Sequence, residues 1–201
     1  LKISDALEKA IIKPFSIKKE GIIIPSDIAY ASKGGYLLET SKITPLASNI
    51  ISLAYLWNVV RVQGGAYGTG LVSRASGFTC CYSYRDPNGK ESLKKYEKCG
   101  TFLKDYLKEN HDLTGFIIGT LSGLMPLMMP YNIGKYGDLY YFNQKDEKAR
   151  QEQLEAILNV VKDELLEIAK EIDETLEKGG ICIIGGKNQI NQCDLDEVIS
   201  L

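Results

Sequence analysis

The sequence predicts an α+β fold, in which one two-layer domain has a mostly antiparallel sheet with helices packed on one face. The β-rich runs include a hairpin-like pair, and the helical patterns are gathered in long runs instead of alternating with each strand. No internal repeat or low-complexity tract interrupts the chain. Its 201 residues, 44% of them hydrophobic, suffice for a sizeable core. We therefore treat residues 1–201 as a single domain.

The first strand is predicted over Ile22–Ala31, where Pro25 marks a sheet edge or a bulge because proline cannot donate to a ladder. It should end at the Gly34-Gly35 turn. A helix then begins at Thr44 and Pro45, with threonine as the cap and proline in the first helical position. Apolar residues at helical spacing carry this helix towards Arg61.

A hairpin follows, built from the runs Thr69–Ala75 and Phe78–Arg85, and the turn at residues 86–89 ends its second strand. Amphipathic helices are predicted over residues 93–107, despite Gly100, and over residues 113–124. Pro126 and Pro130 should stop the second of these helices.

Residues 131–145, with two glycines and four tyrosines, suggest a loop too irregular for a regular element, either packed on the body or in contact with a partner; packing is favoured. A 3.6-residue period then predicts helix over residues 146–176, with a break near Asn159. A buried strand follows at Ile181–Ile184, and the polar tail from Asn188 stays ambiguous.

Composition excludes several classes of partner. The net charge of -2, with both signs interspersed, argues against nucleic acid and anionic membranes. No stretch reaches the ~18 to 20 apolar residues of a membrane span, and the amino end does not resemble a signal peptide. The start at Leu1 instead of Met suggests a processed product or a piece of a longer polypeptide.

The five cysteines are odd in number and form no CxxC pair, so a reducing compartment, the cytoplasm or an organelle matrix, is expected instead of secretion. Cys80 and Cys81 suggest one outward and one buried side chain rather than a redox pair. The single histidine, His111, fits the cap region of a helix better than a catalytic base.

The glycine-rich segment around Tyr67 is the main candidate for a site. Gly64 and Gly65 permit positive φ angles and close backbone approach, and they leave Tyr67 as the one large side chain there. The glycines do not match a dinucleotide-binding motif, and the GGK at 185–187 lacks the remaining residues of a phosphate loop and is interpreted as a turn.

The segment from Leu56 to Asn88, with R-x-x-G-G-A-Y-G and S-Y-R-D-P-N, resembles the C-terminal domain of pitrilysin-type zinc metallopeptidases, in their presequence-protease subfamily. The similarity covers most of the chain, including FIIGTLSGLMPLMMP, although Leu124-Met125 replaces an acidic residue of the family. It implies a large peptidase whose two halves close around an unfolded peptide substrate, with this chain as the fourth domain beside the remaining domains.

The resemblance places zinc in the parent enzyme but outside this chain segment, held by an inverted HxxEH motif and a distal glutamate. With His111 alone this sequence cannot form that motif, so the fragment should be inactive and contains no predicted metal ligands. By position, Arg61 and Tyr67 match an arginine and a tyrosine that reach the substrate in trans. Gly64, Gly65 and Ala66 are the predicted substrate-binding residues.

Tyr67 can donate a hydrogen bond to the oxygen that gains charge when water attacks a peptide carbonyl, and Arg61 can clamp substrate carbonyls. From the residues alone, the alternative is an ordinary ion pair for Arg61 and a core position for Tyr67. Arg85-Asp86 is interpreted mainly as a pair that ends a strand and fixes the turn before Pro87, with a role in substrate binding as the less favoured alternative.

Two other functions stay open: a non-catalytic subunit or assembly module of the same fold, and a free-standing domain that binds extended peptides at a sheet edge. An HxxEH helix upstream would favour the peptidase over the non-catalytic subunit.

Overall fold

The computed structural model describes residues 17–38, 41–74, 76–142 and 146–200. Within that part of the chain, six strands form one sheet in the order β3-β4-β2-β5-β1-β6. The strands are β1 (Lys19–Ile23), β2 (Ala29–Tyr36), β3 (Gly68–Ser73), β4 (Phe78–Asp86), β5 (Gly180–Gly185) and β6 (Glu197–Ser200).

The sheet is antiparallel on one side and parallel on the other. On one side, β3 pairs antiparallel with β4, β4 with β2, and β2 with β5. On the other side, β1 pairs parallel with both β5 and β6. Three of these five pairings are thus antiparallel. The predicted α+β class is confirmed, with a mixed sheet whose parallel side the sequence did not indicate.

The described residues also form eight α-helices. They are α1 (Thr44–Ile50), α2 (Gly89–Tyr96), α3 (Cys99–Lys108), α4 (Thr114–Leu124), α5 (Pro130–Phe142), α6 (Glu147–Leu158), α7 (Lys162–Glu177) and α8 (Lys187–Ile190). Helix α1 runs directly into a more widely wound stretch, Ile51–Val62, which we call the π segment. The amide of Gln63 there bonds to the carbonyl of Asn58, five residues back.

The core lies between one face of the sheet and the helices. Ala31, Cys81 and Ile183 face it from three neighbouring strands, and Leu103 and Ile172 meet them from α3 and α7. On the opposite face, tyrosines of β2 and β4 stay more than a third exposed, namely Tyr30, Tyr82 and Tyr84. We call this second surface the open face.

The predicted strand Ile22–Ala31 is wrong in its extent, because two strands replace it. Strand β1 ends at Ile23, Pro25 lies in the connection, and β2 begins only at Ala29. Gly34 and Gly35 continue β2 instead of ending it. A Cβ on Gly34 would lie 2.5 Å from the carbonyl oxygen of Thr79, so this glycine lets β4 approach closely.

The helix start at Thr44-Pro45 is confirmed, with the proline in the first turn. The predicted cap is wrong, because Ile43 holds the cap position and the Thr44 hydroxyl is buried without a hydrogen-bond partner. The predicted hairpin forms as β3 and β4, although Ala75 lies outside the described residues.

The helix predicted over residues 93–107 is divided into α2 and α3 by a turn at 97–98. Gly100 belongs to α3, where a Cβ would lie 1.9 Å from the carbonyl oxygen of Ala169; the glycine therefore permits the close packing of α3 on α7. Helix α4 ends at Leu124, before Pro126, as predicted, and the break near Asn159 separates α6 from α7.

The interpretation of residues 131–145 as a loop packed on the body is wrong for the described part of this segment. Residues 130–142 form helix α5, which has no buried residue, and residues 143–145 lie outside the described residues. Gly186 caps the short helix α8, which continues into the ambiguous tail from Asn188. Further along that tail, β6 adds an edge strand.

The positions expected for Cys80, Cys81 and His111 agree with the structure. Cys81 is fully buried and Cys80 partly exposed, and their pKa values are raised by burial. The Sγ atoms of Cys81 and Cys99 lie 3.5 Å apart, as free thiols in contact. His111 lies just before α4, stacked on Tyr106.

Candidate functional site

The π segment positions Arg61 near the end of the continuous helical stretch that α1 and the π segment form before the hairpin. The Arg61 Cζ lies 3.9 Å from the centroid of the Trp57 ring, one turn back, in a cation–π contact. Because Trp57 is itself partly exposed, the guanidinium sits at the surface of the domain. The aromatic residue holds the cation there without a carboxylate partner among the described residues.

The turn after Arg61 depends on both of its glycines. Gly65 has a φ of 83°, which L-residues rarely adopt. A Cβ on Gly64 would lie 2.4 Å from the carbonyl oxygen of Val60, so Gly64 is needed for close approach to the π segment. The amides of Gly65 and Ala66 bond back to the carbonyls of Arg61 and Val60, and the Ala66 side chain is buried.

Tyr67 follows this turn and is fixed through its backbone. Arg61 Nε donates to the Tyr67 carbonyl oxygen at 3.0 Å. The Tyr67 amide donates to the carbonyls of Tyr84 and Arg85 at 3.2 and 3.4 Å. Its ring packs edge-on against Tyr84, with centroids 5.3 Å apart, yet the residue stays 60% exposed. The structure therefore brings Arg61 and Tyr67 together, as a pair with a fixed backbone and an exposed phenol.

This arrangement differs from the alternative drawn from the residues alone. Arg61 forms no salt bridge with any described residue, and Tyr67 does not fill a core corner. A phenol and a permanent cation belong to one surface segment and are joined through the Tyr67 carbonyl. Such a pair can bind and polarise carbonyl or carboxylate oxygens.

Arg85, opposite Tyr67, occupies a strained position. Ser83 pairs with Ala31 and Asp86 with Ala29, so Tyr84 and Arg85 together form a bulge against β2. Arg85 has a φ of 49°, in the left-handed region that favours glycine. Its Cζ lies 5.7 Å from the centroid of the Tyr67 ring.

The predicted strand-ending role belongs to Asp86 rather than to an Arg85-Asp86 pair. The buried Asp86 carboxylate accepts hydrogen bonds from the Ser83 hydroxyl at 2.6 Å and from the backbone amide of Asn88 at 2.8 Å. The side-chain amide of Asn88 in turn donates a hydrogen bond to the Gly64 carbonyl at 2.8 Å. The turn after β4 therefore supports the glycine turn that carries Tyr67.

Glycines also shape the open face beside the site. A Cβ on Gly68 would lie 2.2 Å from Cε1 of Tyr84, and one on Gly70 would lie 3.1 Å from the Tyr82 hydroxyl. The two tyrosine rings of β4 thus lie over Gly68 and Gly70, the two positions of β3 that have no side chain on this face. The contacts of Trp57 and Tyr84 with this segment were not predicted from the sequence, although the helical spacing of Trp57 and Arg61 was an available signal. Arg85 was considered, mainly as part of a pair that ends a strand.

The described residues contain no group of three His, Cys, Asp or Glu side chains that could hold a metal ion. His111 faces Glu109 at 2.8 Å and Tyr106 instead of other metal-binding side chains. Within the same part of the chain, no helix is long and apolar enough to cross a bilayer.

Comparison with known proteins gives one family. Residues 19–187 match the family model described as the PreP C-terminal domain. The chain is 31% identical over 182 residues to Protein HypA of Clostridium perfringens and 30% identical over 180 residues to Presequence protease 1, chloroplastic/mitochondrial, of Arabidopsis thaliana. Each alignment covers 87% of this chain. The chain spans only 18% and 17% of the lengths of those two relatives.

A solved structure from Pseudomonas fluorescens, described as a peptidase M16 inactive domain, has the same fold. It matches with a TM-score of 0.59 at 14% identity, over 89% of this chain and 46% of its own. The matched family model covers most of the described residues, including the Arg61–Tyr67 segment. This chain belongs to the family of PreP C-terminal domains, the C-terminal domain of presequence-protease-like peptidases.

Proposed function

We propose that this chain is the C-terminal, substrate-binding domain of a zinc-dependent endopeptidase that degrades unfolded peptides inside a closed chamber. Membership of the PreP C-terminal family and the presequence proteases among its relatives support this function. The observation that carries it is the Arg61–Tyr67 pair, in which a guanidinium fixes the backbone of an exposed phenol.

The proposal assigns the zinc ion to another part of a longer polypeptide. The described residues do not fit the metal, since they bring no three potential ligands together. Zinc would supply the activated water and polarise the scissile carbonyl. The contribution of this chain is then to bind and orient the peptide and to stabilise developing charge.

In the proposed site, the Tyr67 hydroxyl donates a hydrogen bond to the oxygen of the tetrahedral species. The donor is useful only if it is already aimed, and the bonds from Arg61 and to the Tyr84 and Arg85 carbonyls fix the Tyr67 backbone beforehand. Arg61 uses Nε for that bond and retains its terminal nitrogens for substrate carbonyls. Gly65, with its φ of 83°, lets the chain turn sharply between these two residues.

Replacement of Tyr67 by Phe in the parent polypeptide tests this assignment. It removes one exposed oxygen and leaves the ring contact with Tyr84 in place. We expect kcat to fall by about 100- to 1000-fold, the cost of one oxyanion donor, with little change in KM. Steady-state kinetics on an unstructured peptide, zinc content and the unfolding midpoint are the measurements.

Tyr36→Phe is the matched control, because Tyr36 is also an exposed tyrosine with an edge-on ring contact, at the other end of the sheet. It should leave kcat unchanged. Wild-type kcat in Tyr67→Phe, with an active parent enzyme, would remove Tyr67 from the mechanism.

A second candidate is a non-catalytic subunit or assembly module of the same fold. A structure from Pseudomonas fluorescens that is described as an inactive M16 domain has the same fold, and this likeness supports the second candidate. The parent sequence decides between the two, since an HxxEH helix with a distal glutamate supports the peptidase and its absence supports the binding role.

We place the parent protein in a reducing compartment, either cytoplasm or organelle matrix. The Arabidopsis relative is named chloroplastic/mitochondrial, and the five cysteines of this chain are free thiols.

A further inference from the structure

Helix α5 and the residues just before it form an exposed apolar surface. Six large side chains in residues 127–142 are each more than half exposed, namely Leu127, Met129, Tyr131, Ile133, Tyr141 and Phe142. We call them the α5 surface. No residue of α5 is buried, and α5 makes no extended packing contact with another described helix or strand.

The apolar side chains of α5 surround its axis. At 100° per residue, Tyr131 and Phe142 share one side, Ile133 and Tyr140 lie on the opposite side, and Tyr141 lies between them. Lys135 and Asp138 are the charged residues of the helix. A helix that is apolar on all sides is characteristic of a protein interior, so the sequence of α5 is that of a buried element.

The helix has little support from its own sequence. It has 13 residues, a length at which isolated helices are marginal, and includes Gly134 and Gly137, the poorest helix formers after proline. A Cβ at either glycine would have no neighbour within 4 Å, so packing against the described residues does not explain them. Contacts from another polypeptide segment would explain both the helix and its glycines.

We propose that the α5 surface docks onto a neighbouring domain of the same longer polypeptide. This inference rests on the proposed function, in which the chain is one domain of a multidomain peptidase. The curated relatives support that occupant, because this chain spans 17–18% of their length and most of their sequence lies outside it. The complementary surface should be apolar, with hydrogen-bond acceptors at its rim for the tyrosine hydroxyls.

Charge argues against a lipid occupant. Interfacial helices that bind membranes carry a basic polar face, whereas α5 has one lysine and one aspartate. Gly134 and Gly137 are one turn apart, and we expect the partner backbone to approach α5 most closely at them.

Hydrogen exchange of residues 130–142 tests this docking in the parent polypeptide. In the wild type we expect these amides to exchange at least roughly 100-fold more slowly than in the 201-residue chain alone. Gly137→Leu should abolish that protection in the parent, because the side chain blocks the close approach. In the 201-residue chain the same substitution should raise helix content, since leucine is the better helix former.

Gly115→Leu is the matched control, because Gly115 is a helical glycine of α4 whose Cβ would also have no neighbour. It should preserve the protection of α5 in the parent. Rapid exchange of α5 in the wild-type parent would overturn the proposal. Equal protection in the 201-residue chain with concentration-dependent dimerisation would overturn it in favour of a second copy, and protection only with added vesicles would favour a membrane.

These outcomes do not depend on catalysis. If α5 is protected in the parent but Tyr67→Phe leaves kcat unchanged, the docking surface stands and the catalytic assignment of Tyr67 fails. If kcat falls but α5 exchanges rapidly, the catalytic assignment stands and the docking surface fails.

Discussion

Arg61 reaches across the glycine turn and donates from Nε to the carbonyl oxygen of Tyr67 at 3.0 Å. The same guanidinium stacks on Trp57, so one side chain ties the end of the π segment to the start of β3. Arg61 therefore has two tasks in the proposed site, since it fixes the tyrosine and also carries the charge offered to the substrate.

Arg61→Lys separates these two tasks. Lysine retains the positive charge but cannot both stack on Trp57 as a plane and donate sideways to Tyr67. We expect kcat of the parent to fall by about tenfold or more because Tyr67 loses its alignment, with a smaller rise in KM than in Arg61→Ala. The Ala substitution should impair both constants. Kinetics on the parent enzyme measures both.

Arg74→Ala serves as the control for a general loss of surface charge, because Arg74 is an exposed arginine at the far end of the hairpin. If Lys at position 61 gave wild-type kinetics, the planar geometry of Arg61 would have no role.

Arg85→Gly should stabilise the fold. The φ of 49° imposes strain on any residue with a Cβ, and glycine removes that strain. We expect a gain of about 1 kcal/mol in the free energy of unfolding, after the entropy that glycine adds to the unfolded chain. Urea denaturation of the 201-residue chain is the measurement.

Arg85→Ala is the comparison variant, since it also removes the guanidinium above Tyr67 but keeps the Cβ and hence the strain. The glycine variant should be the more stable of the two. The opposite order would show that the bulge tolerates a side chain at this position without strain.

The pH dependence of stability should reveal the raised pKa of Tyr55. Burial raises its pKa to about 12, and its hydroxyl donates to the Lys95 carbonyl at 3.1 Å. Because the pKa in the folded state lies above the ordinary value of 10, the unfolded chain releases this proton first. Stability from this group is complete below pH 10 and is lost as the pH rises towards 12.

The expected observation is a difference between two proteins. Tyr55→Phe should cost stability at pH 8 through the lost hydrogen bond, and this cost should shrink between pH 10 and 12. Denaturation midpoints of both proteins across that range measure it. A constant cost would show that Tyr55 titrates normally.

Elements specified by local chemistry were predictable from the sequence. Pro45 in a first turn, the hairpin and the break near Asn159 follow from turn and helix-end preferences that act within a few residues. The pairing of β1 with β5 and β6 joins the two ends of the described chain, and no local pattern encodes it.

The site was predictable in its residue types but not in its geometry. Arg61 and Tyr67 were named from their motif, and the structure shows that they meet through a backbone carbonyl. The role of Arg85 depends on a bulge against β2, a property of strand register that the order of residues does not reveal. Helix α5 was missed because glycines and a proline predict a loop wherever no packing partner is known.

The position of β1 between β5 and β6 has a consequence for synthesis on the ribosome. Lys19 is synthesised before its partner Ile181, which follows only after roughly 10 to 30 seconds of translation, at about 5–20 residues per second. During that interval the nascent β1 segment has neither of its neighbours, and an apolar segment in that state is a target for chaperones or for incorrect pairing. The sheet can therefore be completed only after nearly all of the described residues have been synthesised.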